Sequence, residues 1–325
     1  MKPLATRPAR LLALALSLHC AGTAAADTYP AKPVTLIVPQ APGGANDTIA
    51  RIYAAKMSTL LGQPFIVDNR PGAGGNIGTV AAARARPDGY TLILNLSTTQ
   101  VVNPALYANA GFDPIKDFQP VTMLASAAYL LVANAGFAPS SVAALIAQAK
   151  AQPGQLAYAS AGNGTLNHLL GEMLKARAGI DMVHVPYKGA AAAVTDVVGG
   201  RVPVSFQSAP SAMPFVKSGK LKVLGVANEK RMGSQPHIPT IGESLPGFGA
   251  TPWYGVFAPA ATPPEVVATL HSASAKALAS PDVQAQLAQQ GAEPIGMGPA
   301  PFAAALKNDL ARWSAVVRET GSKID

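Results

Sequence analysis

Twice in this chain a short apolar run passes into a glycine-rich turn and then into an amphipathic helix. That repeated order constrains the fold more than any single residue does. Residues 34–39 (VTLIVP) lead into APGGANDTIAR, and residues 156–160 lead into SAGNGTLNHLL. Apolar runs of this length bounded by Pro and Gly read as buried strands. After the first turn, Ile49, Ile52, Tyr53, Met57, Leu60 and Leu61 recur at helical spacing, while Arg51 and Lys56 lie off that face. Gly62 and then Pro64 end the helix.

The alternation continues on either side. Residues 65–68 read as a strand, 76–85 as an alanine-rich helix and 90–96 as a third strand, giving βαβαβ. Two short strands follow in quick succession at 121–125 and 129–133. Helices at 141–151, 167–178 and 190–198 then alternate with strands at 156–160, 182–186, 204–207 and 221–227. The tail adds an aromatic strand at 253–258 and helices at 264–279, 281–290 and 301–320. The expected fold class is α/β, with two open, mostly parallel sheets carrying helices on their faces.

The first 26 residues read as an address rather than structure. Lys2, Arg7 and Arg10 precede a short apolar stretch at 11–18, and Ala24, Ala25 and Ala26 offer a small-residue cleavage site. The apolar run is shorter than the ~20 residues a membrane span needs. The expectation is an exported protein cleaved near Ala26. Cys20, the single cysteine, falls inside this segment, so the remaining 299 of 325 residues carry no thiol. Disulfides and cysteine chemistry are excluded there.

Charge excludes another class. The whole chain has 25 Lys and Arg against 17 Asp and Glu; without the leader's three cations the balance is 22 to 17. A mild positive surplus suits anionic small molecules. It falls short of a nucleic-acid binder, and no basic run is interleaved with aromatics.

The two turns carry the chemistry. At a helix start the first N–H groups lack intrahelical partners, and the helix dipole adds partial positive charge, so an anion is favoured. The first turn offers Gly43, Gly44, Ala45 and Asn46, with Asp47 entering the helix; Asp47 reads as an N-terminal cap balanced by Arg51 four residues on. The second offers Ser160, Gly162, Asn163, Gly164 and Thr165. His168, one turn further, either faces the ligand or steadies the helix. Each turn alone would pass as an ordinary βα connection; two at equivalent places in two α/β units point to one shared ligand.

Other motifs are absent or fail. Arg70 to Gly78 (RPGAGGNIG) has Ile77 where a dinucleotide fingerprint needs its third glycine, and it reads as a tight surface turn. No Walker sequence or G-x-S-x-G elbow occurs. His168, His184, His237 and His271 show no metal spacing, and Glu172, Asp181, Asp196 and Glu243 are scattered. No cofactor, metal or catalytic residue is expected.

The segments YPAKPVTLIVPQAPGGANDTIAR, GQPFIVDNRPGAGGNIG, PDGYTLI, NPALY, YASAGNGTLNHLLGE, MVHVPYKG, GKLKVLGVA and WYGVFAPA, in this order, resemble the Bug family of exported receptors for tripartite tricarboxylate transporters. The resemblance spans essentially the whole chain beyond the leader. It implies a two-lobe periplasmic-binding-protein fold of type II-like form, with small carboxylates or related compounds held between the lobes by the two turns. It implies a lobe of residues 27–124 plus 231–325 and a lobe of 125–230, with hinges near 124–133 and 227–233. Gly43 to Asp47 and Ser160 to Thr165 then hold ligand. Ser97, Thr98 and Thr99 face the cleft from one lobe, and Tyr187, Lys188 and Gln207 from the other. The implied partners are the transporter's membrane subunits; a membrane sensor kinase would use the same binding chemistry. A monomer is expected. The rival reading is an exported α/β hydrolase or transferase with Ser160 or Thr165 activated by His168.

Overall fold

The computed structural model describes residues 29–233 and 235–321. The leader, its cleavage site and Cys20 lie outside the described residues. Along the chain run β1 (Val34–Val38), α1 (Ala45–Leu61), β2 (Phe65–Asn69), α2 (Asn76–Ala83), β3 (Thr91–Leu96), α3 (Asn103–Leu106), β4 (Phe118–Ala127), β5 (Tyr129–Asn134) and α4 (Val142–Ala151). Then come β6 (Ala157–Ser160), α5 (Leu166–Ala178), β7 (Val183–Pro186), α6 (Ala190–Val198), β8 (Val204–Ser208), α7 (Ala209–Lys217) and β9 (Leu221–Val226). The last are α8 (Ile241–Ser244), β10 (Trp253–Pro259), α9 (Pro264–Ala279), α10 (Pro281–Gln289), β11 (Ala292–Met297) and α11 (Pro299–Thr320).

These strands build two sheets. One has six strands in the order β11-β4-β10-β3-β1-β2, the other five in the order β7-β6-β8-β5-β9. The expectation of mostly parallel sheets needs correcting, because both are mixed. Parallel pairing is confined to β2-β1-β3 and β7-β6-β8, where a helix lies between successive strands. The pairs made by β4, β5, β9, β10 and β11 are antiparallel. A helical crossover returns a strand in the same direction, and β8 and β9, joined through α7, and β10 and β11, joined through α9 and α10, do run alike; each couple is split by one antiparallel strand, β5 or β4.

The chain passes between the sheets at two places. β4 belongs to the first sheet and β5 to the second, with Ala128 alone between them. The return lies between β9 and β10. Tyr129 ties the two passages together: its N–H donates to Asn228 Oδ1 at 3.1 Å, and its carbonyl accepts from the Ala227 N–H at 2.8 Å.

Under the first sheet an aromatic group fills the core. Phe302 of α11 is fully buried, with its ring centroid 5.1 Å from Trp253 and 5.0 Å from Phe257. Trp253 Nε1 donates to Asp309 Oδ2 at 2.6 Å, which satisfies the indole. Burial pushes the Asp309 carboxyl above its usual range, partly offset by that bond and by Arg312. The core contacts therefore run from β10 through α11.

Candidate functional site

A cleft of ≈ 300 Å³ opens at the ends of β1, β3 and β6. Gln40 and Ala41 border it after β1, Thr98 and Thr99 after β3, and Gly164 to Asn167 after β6, with Tyr129 from the start of β5. The second turn lines the cleft through Ala161, Gly164 and Thr165, whereas the first reaches it only through Gln40 and Ala41: Gly43, Gly44, Ala45, Asn46 and Asp47 lie outside the lining. The cleft lies at the edge where open α/β sheets take ligands.

The turns differ from their expected detail. Gly43 and Gly44 are exposed, and Gly43 N–H donates to Asp47 Oδ2 at 2.9 Å. Asp47 is buried and also holds Arg51 Nε at 3.0 Å and Asn69 Nδ2 at 3.0 Å. Burial would raise its carboxyl; the bonds from Arg51, Gly43 and Asn69 outweigh that and lower it. Asp47 thus braces the turn from behind through the Gly43 N–H, and does not cap the free helix N–H groups as its position suggested. Ala45 begins the helix, and buried Asn46 gives its Nδ2 to Gln40 Oε1. Gln40 in turn donates to Thr99 Oγ1 at 3.3 Å.

In the second turn, Ser160 Oγ receives the Gly162 N–H at 3.1 Å, and His168 Nδ1 receives the Gly164 N–H at 3.2 Å. Thr165 Oγ1 donates to the Gly162 carbonyl at 2.7 Å. The glycine amides of both turns are engaged inside the protein, apart from that of Gly44. The unengaged donors are one step further on. Among the described residues no acceptor takes the main-chain N–H of Ala45, Asn46 or Asp47, nor that of Leu166, Asn167 or His168. Neither helix is capped by a side chain at Gly44 or Thr165, in contrast to α4, capped by Ser141, and α8, capped by Thr240. Of the two helix starts with bare amides, that of α5 lines the cleft with Leu166 and Asn167, and that of α1 adjoins it through the bond from Asn46 to Gln40.

Of the remaining expected residues, Thr98 lines the cleft, while Ser97 is buried behind it and receives the Trp253 N–H at 3.3 Å. Asn163 is exposed and lies outside the cleft wall. Tyr187 donates to Asp196 Oδ2 at 2.7 Å, away from the wall; Lys188 is exposed. Gln207 is fully buried, its Nε2 bound to Ser205 Oγ at 2.9 Å. Gln40, Tyr129, Leu166 and Asn167 border the cleft and carried no signal in the sequence reading beyond their closeness to a strand end. Among the described residues no Lys, Arg, Asp or Glu lines it.

The segment read as a surface turn also requires correction. Pro71, Gly72, Gly74 and Gly75 border the cleft. Gly75 has φ +99, and a Cβ there would meet Thr99 side-chain atoms at 2.9 Å. Glycine lets this loop close against Thr99. The signal was present: a third glycine cluster stands between a strand and a helix.

His168 takes the second of its two alternatives and steadies the turn. Its ring stacks on His184 with centroids 4.2 Å apart, and His184 stacks on Tyr158 at 5.0 Å. The pairing expected by the hydrolase reading is not there. Ser160 Oγ lies 2.6 Å from His184 Nε2 rather than beside His168, Ser160 is fully buried, and Thr165 is bonded to Gly162. Tyr158 Oη donates to Glu172 Oε1 at 2.6 Å, and Glu172 pairs with Lys175 at 3.1 Å.

This stack makes the fold acid-labile. Burial, with His168 alongside, lowers the His184 imidazole from 6.5 to about 4. Burial also lowers His168, against the opposing pull of Glu172. An unfolded histidine binds its proton near 6.5, so the unfolded state takes up protons the fold refuses. Stability is complete above that pH and falls between about 6.5 and 4. Thermal melts across this range should slope downward toward acid, and His184→Gln should flatten the slope. An unchanged slope would show that the stack is not the cause.

Two mixed α/β sheets joined by paired crossings, with a largely apolar cleft at the strand ends, are the arrangement of a two-lobe solute-binding protein. Comparison with known proteins gives the family. Residues 49–322 match the Tripartite tricarboxylate transporter family receptor. Protein BugT of Bordetella pertussis is 39% identical over 321 residues, covering 97% of this chain and 98% of BugT. The periplasmic binding protein BugD is 34% identical with a TM-score of 0.81, covering 91% of this chain and 99% of BugD. An R. palustris protein solved with adipate is 35% identical with a TM-score of 0.84, covering 91% of this chain and 100% of that one. The chain belongs to the tripartite tricarboxylate transporter receptor family. Its architecture is the periplasmic-binding-protein fold, and the family's role is solute reception rather than catalysis.

Proposed function

We propose that this receptor captures a small dicarboxylate between its sheets and presents it to the membrane subunits of a tripartite transporter. The observation that carries this is the pair of uncapped helix starts, α1 and α5, with unengaged amides beside one cleft. Anions are stabilised at such ends by N–H groups and dipole together. A hydrogen bond to a charged group contributes about 1.5–3 kcal/mol, so a few such bonds support micromolar binding, near −8 kcal/mol. Adipate in the related structure is a ligand of this chemistry. The two lobes are assigned to residues 27–124 with 231–325 and to 125–230, hinged where Tyr129 joins the crossings. The basic, apolar and alanine-ended leader supports export to the periplasm, with cleavage near Ala26.

Ligand-free protein, obtained by unfolding and refolding, should gain thermal stability with linear dicarboxylates in millimolar excess and none with diamines of equal length. At free ligand concentration L, binding stabilises the native state by RT ln(1 + L/Kd), so millimolar excess over a micromolar Kd gives a readable shift. Stabilisation by the diamines alone would refute the anion reading.

A further inference from the structure

Four side-chain hydroxyls border the cleft: Thr98, Thr99, Thr165 and Tyr129. Two are engaged. Thr165 donates to the Gly162 carbonyl at 2.7 Å, and Thr99 to the Gly74 carbonyl at 3.2 Å. The other two are not. Thr98 is 7% exposed and its Oγ1 is buried without a hydrogen-bond partner. Tyr129 is 8% exposed, and its hydroxyl has no hydrogen bond among the described residues. Buried polar groups ordinarily find a partner, and those that do not call for an explanation. Thr98 is such a buried orphan, and the Tyr129 hydroxyl borders the same cleft without a hydrogen bond among the described residues.

They differ from the turns in origin. Thr98 opens the π-helical stretch Thr98–Val102 after β3, a form that recurs at functional sites. Tyr129 starts β5 at the crossing between sheets, its backbone fixed by Asn228 and Ala227. Neither belongs to the two helix starts that offer main-chain amides. We propose that Thr98 and Tyr129 receive the second carboxylate of a linear dicarboxylate, and so set the preference for dicarboxylates over monocarboxylates of equal length. This rests on the carboxylate reading of the cleft and extends it from one end of the ligand to the other.

The chemistry suits an acceptor. A carboxylate only accepts, and each hydroxyl has a proton to give. Burial holds the Tyr129 hydroxyl up at about 12, so it remains a neutral donor at every physiological pH. Among the described residues the wall carries no Lys or Arg to make an ion pair and no Asp or Glu to repel. Discrimination is strongest where a site is built to hydrogen-bond a group that the competitor lacks.

The test uses the full mature chain, freed of ligand, with matched pairs: succinate and butyrate, glutarate and valerate, adipate and hexanoate. Titration calorimetry gives the affinity ratio within each pair. The wild type should prefer the diacid of its best pair. Tyr129→Phe and Thr98→Val, which keep the shape and remove the hydroxyls, should each shrink that ratio by about 10- to 100-fold. Circular dichroism melts establish that both variants fold. A ratio unchanged in both folded variants, or diacid and monoacid weakened alike, overturns the assignment while the carboxylate reading stands. A wild type that binds no member of any pair overturns both.

Discussion

Gly162→Val is expected to weaken dicarboxylate binding by about 100-fold, the equivalent of losing roughly 3 kcal/mol from hydrogen bonds to a charged ligand. Gly162 has φ +124, where an L side chain is strained, and a Cβ there would meet the Tyr187 carbonyl at 3.1 Å. Valine drives φ negative and turns the peptide that the loop is built around. The Gly162 carbonyl receives both the Thr165 hydroxyl, at 2.7 Å, and the Thr165 N–H, at 3.3 Å. Thr165 is the residue before α5, so moving it re-aims the bare amides of Leu166, Asn167 and His168. Calorimetry with the best-binding diacid reads the effect directly. Wild-type affinity in a folded Gly162→Val protein would mean that this turn does not shape the site.

The second large effect concerns the core. Phe302→Ala should cost about 3–5 kcal/mol, the sum of lost transfer energy and the cavity left behind. Phe302 is fully buried between Trp253 and Phe257, and a Cβ on Gly255 would lie 2.5 Å from its ring. Packing that close leaves little for neighbours to relax into. At roughly 2 cal/mol/K of unfolding entropy per residue, a chain of this size would melt about 5–8 °C lower. The substitution lies beneath the first sheet, away from the cleft wall, so affinity per folded molecule should hold while the melt shifts. A melt unmoved by the change would mean the aromatic group contributes little.

Much of this was legible in sequence because α/β units announce themselves locally. α6 and α9 match the helices read from 190–198 and 264–279, where Gly and Pro punctuate both ends. β11 escaped notice because Pro294 and Gly296 break its pattern, which an edge strand tolerates and a central one does not. α7 was hidden by Pro210 and Pro214. Strand direction was not legible: β4, β5 and β10 look like any apolar run, and their antiparallel pairing is decided by partners far along the chain. In the site, the turns were visible as glycine clusters. Which amides are free was not, since Ser160, His168 and Asp47 engage the glycine N–H groups by contacts that only three dimensions reveal. Tyr129 and Thr98 carry no local motif at all; their lack of partners is a property of the folded wall.

The placement of β10 has a consequence for biogenesis. It lies between β3 and β4 in the first sheet, yet enters the chain more than a hundred residues after both. Until Trp253–Pro259 emerges, the facing edges of β3 and β4 stay unpaired, and the sheet has a gap at its middle. The second sheet, drawn from the unbroken stretch β5 to β9, waits for nothing downstream. Synthesis from the N-terminus thus yields a chain whose later-made half can close first, while its earliest strands stay loose until the end.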